Sequence, residues 1–353
     1  MITRLLSGDR PGNRVLALVL LAIFLCLAFA PFLFPGTRSL ETAARICIFI
    51  VLVASYDLLL GYTGIVSFAH TMFFGIGAYG VAIAISAMGP SFGAILLGGL
   101  AGVGVAMVLA LLIGLFSLRV KAIFFAMVTL AVASAFAVLV SQTSGLTGGE
   151  DGLNYAIPKV FSPAFKLLDD RVLGVRVNGK LLLYYFVFLS STILFLIMLR
   201  MVNSPFGRVL QAVRENAFRA EAIGYRVVVY RTAATVLSAA MAALAGVLIA
   251  IWLRYTGPAT TLSFEIMIDI LLMVVIGGMG TMYGAVIGAT LFIFAQTYLQ
   301  NLMGAASDAT SALPLVPDLL DPGRWLLWLG VLFILSVYFF PTGIVGRLRG
   351  RTG

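Results

Sequence analysis

LLLYYFVFLSSTILFLIML, residues 181–199, is the stretch that decides the fold of this chain. It contains no charged side chain, and its length suits a bilayer core that about 20 apolar residues cross as a helix. In lipid, a helix satisfies every backbone polar group of such a stretch within the segment itself. The stretch therefore predicts a transmembrane helix.

The rest of the chain has the same character. Of its 353 residues, 61% are hydrophobic and 10% are charged, and the mean hydropathy is +1.10. A globular domain carries about 25% charged residues, so we expect an all-α polytopic membrane protein. The ten predicted spans are 15–34, 42–60, 64–87, 92–117, 122–141, 181–201, 231–252, 264–280, 283–302 and 324–340. The first is predicted to be a retained span, because it is longer than a signal-peptide core of about 7–15 residues.

The net charge of +9 is explained by topology. The sequence has no basic face with interleaved aromatic residues, which argues against nucleic acid as a partner. With a cytoplasmic N-terminus, the positive-inside rule is satisfied by Arg4, Arg10, Arg14, Arg119, Lys121, the arginines from Arg200 to Arg231, Arg347, Arg349 and Arg351. This orientation places both termini in the cytoplasm and the long segment 142–180 outside.

The loop 203–230, between the sixth and seventh spans, is rich in charged residues. Six arginines and two glutamates lie from Arg200 to Arg231. Ser204 followed by Pro205 predicts a helix start, and Gly224 predicts a helix end. The side chains expected to form an apolar docking surface are Val209, Val213, Phe218 and Ala222. A loop that only fixes topology is the alternative.

Glycines interrupt the apolar pattern in both halves of the chain, at Gly61–Gly80 and Gly277–Gly288. Two interpretations are open. The glycines allow helices to pack closely, as the spacings Gly98/Gly102 and Gly280/Gly284/Gly288 also indicate, or they break helices in an inverted repeat that marks a substrate path. The positions predicted to break or pack helices are Gly61, Gly64, Gly75, Gly77, Gly277, Gly278 and Gly280.

Four ionisable side chains lie in or near the predicted spans: Asp57, His70, Glu265 and Asp269. An Asp at a helix centre costs about 2.5–3.5 kcal/mol, so each must face protein or water. For Asp57 we expect a structural ion pair, whereas a solvated vestibule or salt bridges to Arg254 explain Glu265 and Asp269 equally well. The residues predicted to line or support a path are Ser67, His70, Thr71, Thr129 and Asp269.

Several motif matches are rejected. The dinucleotide-type pattern at Gly75–Gly80 lies in an apolar span, and the phosphate-loop pattern at Gly174–Lys180 has no hydroxyl after its lysine. His70 is the single histidine, and Cys26 and Cys47 have no paired spacing, so no metal site is predicted. Because the phosphate-loop match is rejected, any ATP must be hydrolysed by a partner.

Four blocks of sequence carry a resemblance to a known family. They are Leu60–His70 with Phe73–Tyr79; Val128–Ala131 with Leu146–Gly149 and Asp151–Leu153; Ser204–Arg208 continuing to Ala220–Gly224; and Met273–Thr281. In this order, over most of residues 45–290, they resemble the LivM type of branched-chain amino acid ABC transporter permease.

The resemblance implies a single transmembrane permease domain over 1–353 in a bacterial inner membrane, with 142–180 in the periplasm. Its implied partners are a LivH-like second permease subunit, two cytoplasmic ATP-binding subunits that hold ATP and Mg, and a periplasmic substrate-binding protein. Within the loop 203–230, the implied ATPase-coupling residues are Arg208, Arg214, Glu215, Arg219, Glu221, Ala222 and Gly224. Urea, short amides and other amino acids are alternative substrates, and an ion-coupled secondary transporter is the alternative from another class.

Overall fold

The computed structural model describes residues 13–34, 36–117, 122–172, 175–309, 321–339 and 342–349, which are mostly helical. The helices are α1 (Arg14–Ala28), α2 (Ala30–Leu33), α3 (Thr37–Thr63), α4 (His70–Met88), α5 (Phe92–Ser117), α6 (Ala122–Gln142), α7 (Ser144–Thr147), α8 (Gly179–Val202), α9 (Pro205–Glu215), α10 (Ala217–Ala222), α11 (Val227–Leu253), α12 (Pro258–Thr261), α13 (Phe264–Gly277), α14 (Met282–Ala309), α15 (Trp325–Phe339) and α16 (Gly343–Arg349). The strands are β1 (Leu153–Asn154), β2 (Lys166–Val172), β3 (Val175–Asn178) and β4 (Tyr255–Thr256). Arg4, Arg10, Arg119, Lys121 and Arg351, used for the topology, and Gly174 of the rejected phosphate loop lie outside these ranges.

The predicted all-α polytopic fold is confirmed. Within the described ranges, eight helices are long and apolar enough to cross a membrane: α3, α4, α5, α6, α8, α11, α13 together with α12, and α14. The first and last of the ten predicted spans are shorter. Helices α1 and α15 have 15 residues each, and a helix of that length rises about 22 Å, less than the core of about 30 Å. The predicted span 15–34 is divided at Phe29, which precedes the Pro31 turn of α2.

Two predicted spans have wrong boundaries, for the same reason. The span predicted at 64–87 becomes helical only at His70, and the span predicted at 264–280 ends at Gly277. Irregular backbone occupies 64–69 and 278–281, and these two segments are called the breaks below. Each break connects two consecutive spans, α3 to α4 and α13 to α14. A helix broken within a span at these positions and the inverted repeat both stay predictions.

Helix α3 lies at the centre of the bundle. It packs against α8, α11, α13 and α14, and 83% of its most apolar 18-residue stretch is buried. Helix α6 lies at the periphery, and 17% of its most apolar 18-residue stretch is buried. The exposed face of α6 is apolar, as expected for a surface that meets lipid or another membrane chain. Ionisable and hydroxyl side chains buried on α3, such as Asp57 and Ser55, therefore face protein.

Glycines allow several helices to touch through their backbones. A Cβ on Gly80 would lie 2.5 Å from the Gly98 carbonyl oxygen and 2.9 Å from Gly102 Cα, so α4 and α5 meet at this point. A Cβ on Gly77 would collide with the Ala243 carbonyl of α11. The close-packing interpretation is confirmed at these positions. The pattern at Gly75–Gly80 lies inside α4, in agreement with its rejection as a nucleotide motif.

The segment 142–180 is tied to the end of α11. Strands β1 and β4 pair antiparallel, with Leu153 opposite Thr256. The Tyr155 hydroxyl donates to the Ala250 carbonyl at 2.9 Å and lies 2.8 Å from the Thr256 hydroxyl. Burial raises the pKa of Tyr155 above its ordinary value, so the hydroxyl keeps the proton that it donates.

Candidate coupling element and translocation path

The charged loop folds into two helices, α9 and α10, called the loop helices below. Ser204 caps α9, accepting a hydrogen bond from the Gly207 N–H at 3.5 Å, and Pro205 is the first helical residue, as predicted. Gly224 follows the end of α10 with φ 98°, also as predicted. The break between the loop helices was not predicted. It lies at Asn216, which is extended and whose side chain caps α10.

The loop helices have an inner and an outer apolar face. The inner face is a cluster of Val209, Val213, Ala217, Ala220 and Val227. On the outer face, Phe218 is 82% exposed and Ile223 is 69% exposed. The single docking surface predicted from Val209, Val213, Phe218 and Ala222 is therefore wrong. The change of direction at Asn216 turns the two valines inward and leaves Phe218 and Ala222 outside.

All seven predicted coupling residues are exposed on the loop helices or at their end: Arg208, Arg214, Glu215, Arg219, Glu221, Ala222 and Gly224. Arg214 differs from the others in the direction of its side chain. Its Nη1 donates a hydrogen bond to the carbonyl oxygen of Gly61, in the last turn of α3. One loop residue therefore reaches the membrane-spanning core.

Four residues from three segments meet at this point, and we call them the break junction: Asp57, Gly61, Arg214 and Gly280. Asp57 is 1% exposed, and its Oδ1 accepts a hydrogen bond from the Gly280 N–H at 2.9 Å. A Cβ on Gly61 would collide with that nitrogen and with the Asp57 carboxylate. A backbone amide is thus one partner of Asp57, and the ion pair expected for it stays a prediction.

The predicted glycines divide into two groups. Gly64 ends α3 with φ 72° and Gly280 has φ 80°, a left-handed conformation that glycine adopts without steric cost. Gly278, also at a break, has φ 116°. The remaining four lie in helices against backbone or side-chain atoms of other segments: Gly61 at Gly280, Gly75 at Leu262, Gly77 at Ala243 and Gly277 at Gly284.

His70, at the start of α4, is fully buried in a polar pair that the sequence did not reveal. Its Nε2 lies 2.8 Å from the Ser238 hydroxyl of α11, which donates to the Ser55 carbonyl of α3. The Tyr56 ring packs edge-on against the imidazole, with centroids 4.8 Å apart. Ser238 stands among alanines, 168 residues from His70, so no local pattern connects them.

The other predicted path residues lie close to the first break. Thr129 is buried, donates to the Ala126 carbonyl at 2.8 Å and accepts from the Phe68 N–H at 3.1 Å. The Ser67 hydroxyl accepts from the Ala69 N–H at 3.3 Å. Thr71 is buried in the first turn of α4. The Thr129 hydroxyl therefore joins the irregular segment 64–69 to α6.

The two carboxylates on α13 differ in environment. Glu265 is exposed, whereas Asp269 is half-buried and accepts a hydrogen bond from Gln296 at 3.5 Å. The Arg254 guanidinium donates to the Phe161 carbonyl at 3.2 Å. The described part of the chain has no group of three or more His, Cys, Asp or Glu side chains able to hold a metal ion.

Two apolar clefts lie along α6. One of about 370 Å³ is lined by Ala133, Ser134, Ala137, Pro258, Ala259, Leu262, Ser263 and Phe264. The other, of about 310 Å³, is lined by Val66, Phe68, Ile123, Ala126, Met127 and Leu130. The rings of Phe68 and Phe264, one from each cleft, contact each other with centroids 6.1 Å apart. An aromatic pair therefore stands where the clefts adjoin, beside the first break.

Apolar helix bundles with irregular segments and buried polar side chains occur in membrane transport proteins. The fold and the site agree with that class. A family model described as branched-chain amino acid transport system / permease component matches residues 39–336, and the chain belongs to that family.

Curated relatives agree with this assignment. The chain is 25% identical to the high-affinity branched-chain amino acid transport system permease protein LivM of Salmonella typhimurium, over 96% of this chain and 77% of the relative. The LivM protein of Escherichia coli matches with the same identity and coverage. A probable LivM permease of Methanocaldococcus jannaschii is 28% identical over 48% of each chain. No solved structure gives a significant match.

Proposed function

We propose that this chain is the transmembrane permease subunit of an ABC importer that carries branched-chain amino acids across the bacterial inner membrane. Family membership and the names of the relatives support the transport role and the substrate class. Energy comes from ATP hydrolysis on partner subunits.

The loop helices are the observation that carries this proposal. They present an exposed aromatic and an exposed aliphatic side chain, Phe218 and Ile223, beside charged residues, and Arg214 links them to the bundle core. Aromatic side chains with a polar surround are typical anchors of protein interfaces. A soluble ATPase that binds Phe218 would therefore act on an element connected to the end of α3.

The proposed assembly contains this chain, a LivH-like second permease subunit, two cytoplasmic ATP-binding subunits and a periplasmic substrate-binding protein. ATP and Mg bind the ATP-binding subunits, and this chain holds no cofactor. In this assembly the loop 203–230 and both termini are cytoplasmic, and the segment 142–180 is periplasmic. Residues 1–353 act as one permease domain.

The lining of the clefts along α6 suits a ligand with an apolar side chain. Their lining is aliphatic and aromatic apart from the hydroxyl residues Ser134 and Ser263. A site for urea or a short amide is expected to offer several hydrogen-bonding groups, because such a ligand has little apolar surface to bury. We propose that the path runs along these clefts, with Ser67, Thr71 and Thr129 supporting its wall.

Reconstitution of the complete transporter in proteoliposomes tests the function. We expect uptake of radiolabelled leucine that requires ATP, the ATP-binding subunits and the binding protein. Unlabelled isoleucine and valine should compete, and urea should not. Uptake by this chain alone, driven by an ion gradient without nucleotide, would identify a secondary transporter and contradict the proposal.

A further inference from the structure

The last turn of α3 lies against the second break, although more than two hundred residues separate them. Helix α3 ends at Thr63, where the first break begins, and the second break occupies 278–281. The backbones of Gly61 and Gly280 touch, because neither residue has a Cβ to hold them apart. A change of conformation at the second break must therefore be accommodated by the end of α3.

Asp57 holds the contact between α3 and the second break. Its carboxylate accepts a hydrogen bond from the Gly280 N–H, and a bond from a backbone amide to a carboxylate is stronger than one between neutral groups. Gly280 has φ 80°, so the break has a defined conformation that the carboxylate stabilises. Asp57 is fully enclosed by protein, which increases the cost of leaving this bond unmade.

Arg214 connects the loop 203–230 to the break junction. Its guanidinium donates to the Gly61 carbonyl, and a Cβ on Gly280 would lie 2.8 Å from Arg214 Nη1. The aliphatic part of the side chain covers Gly64, where a Cβ would lie 3.3 Å from Arg214 Cγ. The Arg214 side chain is therefore seated against both breaks and the end of α3, while its backbone belongs to α9.

We propose that Arg214 is a positioning residue that couples the movement of α9 to the opening of the bundle. With Arg214 in the break junction, the two breaks are locked in the conformation described here. When the loop helices are displaced, the guanidinium leaves Gly61, and the segments 64–69 and 278–281 are free to change together. The inference rests on the proposed function, since it assumes a partner that moves the loop helices.

The test uses the complete transporter in proteoliposomes, with ATP hydrolysis and leucine uptake measured on the same samples. Arg214→Gln removes the charge and shortens the reach of the side chain. We expect the variant to assemble and hydrolyse ATP, with the ATP consumed per leucine rising about tenfold, within the usual range of coupling between sites. Arg214→Lys, which keeps a charged donor, should recover part of the loss. Gln211→Ala, an exposed truncation on the same helix, should leave the ratio unchanged.

A second pair of variants tests the junction without altering the loop. Asp57→Ala leaves the Gly280 N–H without its acceptor and should uncouple transport as Arg214→Gln does, whereas Asp57→Asn keeps an acceptor oxygen and should be milder. Because both residues act at one junction, their effects should not be independent. The double variant Asp57→Ala with Arg214→Gln should raise the ATP consumed per leucine by less than the two single variants would if their effects were additive.

Additive effects, or a normal ATP-to-leucine ratio in Arg214→Gln, would overturn the inference even if the natural protein shows ATP-driven uptake. If Arg214→Gln fails to assemble, a normal ratio in Asp57→Ala would overturn it equally, and an uncoupled ratio would support it. Failure of the proposed function would appear differently, as uptake by the natural protein that does not depend on ATP.

Discussion

At the scale of single residues, the polar side chains of the bundle connect segments that are far apart in sequence. His70 and Ser238 join α4 to α11, and Ser238 joins α11 to the Ser55 carbonyl of α3. Three core helices thus share one buried hydrogen-bonded chain. Such a chain stabilises a single arrangement of the helices, because each group has a high cost when unpaired.

Ser238→Ala tests this role. The change removes the partner of His70 Nε2 and should lower the free energy of unfolding by about 1–3 kcal/mol, the cost of leaving a buried polar group unsatisfied. Thermal unfolding of the purified protein in detergent measures the effect. Ser141→Ala, at a half-buried serine near the end of α6, provides the matched control and should change stability little. Equal unfolding temperatures for the two variants would contradict the assigned role.

Tyr155 offers a second residue-scale prediction, in the segment 142–180. Tyr155→Phe keeps the ring and removes the hydrogen bonds to Ala250 and Thr256. We expect a loss of about 1 kcal/mol in the free energy of unfolding and faster proteolysis of the segment. Tyr225→Phe, on an exposed ring, is the control. Proteolysis that is no faster than in the control would show that β1 does not depend on this anchor.

At the scale of elements, the two faces of the loop helices have different roles. Their inner face holds them to the start of α11 through Val227, and their outer face presents Phe218 and Ile223. The amphipathic pattern predicted the existence of the element and its ends at Ser204 and Gly224. It did not predict the turn at Asn216, because asparagine is compatible both with a helix interior and with an N-cap.

Phe218→Asp should weaken the binding of the ATP-binding subunits, because it places a charge at the centre of the proposed interface. We expect those subunits to be lost when the transporter is purified through a tag on this chain. The fold should be unaffected, since Phe218 is almost fully exposed. Phe165→Asp, an exposed aromatic on the other side of α8, should retain them. Retention in both variants would exclude Phe218 as an anchor.

At the scale of the whole molecule, the sequence was sufficient for eight of the ten predicted spans, since length and apolar composition determine them. The glycine-rich stretches Gly61–Gly80 and Gly277–Gly288 indicated irregular backbone, but the spans predicted at 64–87 and 264–280 ran through both breaks. The sequence could not predict that the end of α3 touches the second break, because the contact of Gly61 with Gly280 depends on the packing of α3, α13 and α14. For the same reason, Arg214 was predicted as an ATPase-coupling residue of the loop, without the contact that its guanidinium makes with Gly61.

The topology gives a prediction for the intact cell. The single span α8 separates α7 from the loop helices, so Leu146 and Phe218, both exposed, must lie on opposite sides of the membrane. In a background with Cys26→Ala and Cys47→Ala, a membrane-impermeant thiol reagent should label Leu146→Cys in intact cells. Phe218→Cys should be labelled only after the membrane is opened. The reverse result would invert the proposed orientation.

Site-specific cross-linking shows whether a separate ATPase binds the loop helices. A photo-reactive amino acid replaces Phe218 in the complete transporter, and replaces Leu146 in a control. After illumination we predict a covalent product between position 218 and an ATP-binding subunit, and none from position 146. Absence of that product from position 218, in a transporter that still takes up leucine with ATP, would contradict the account.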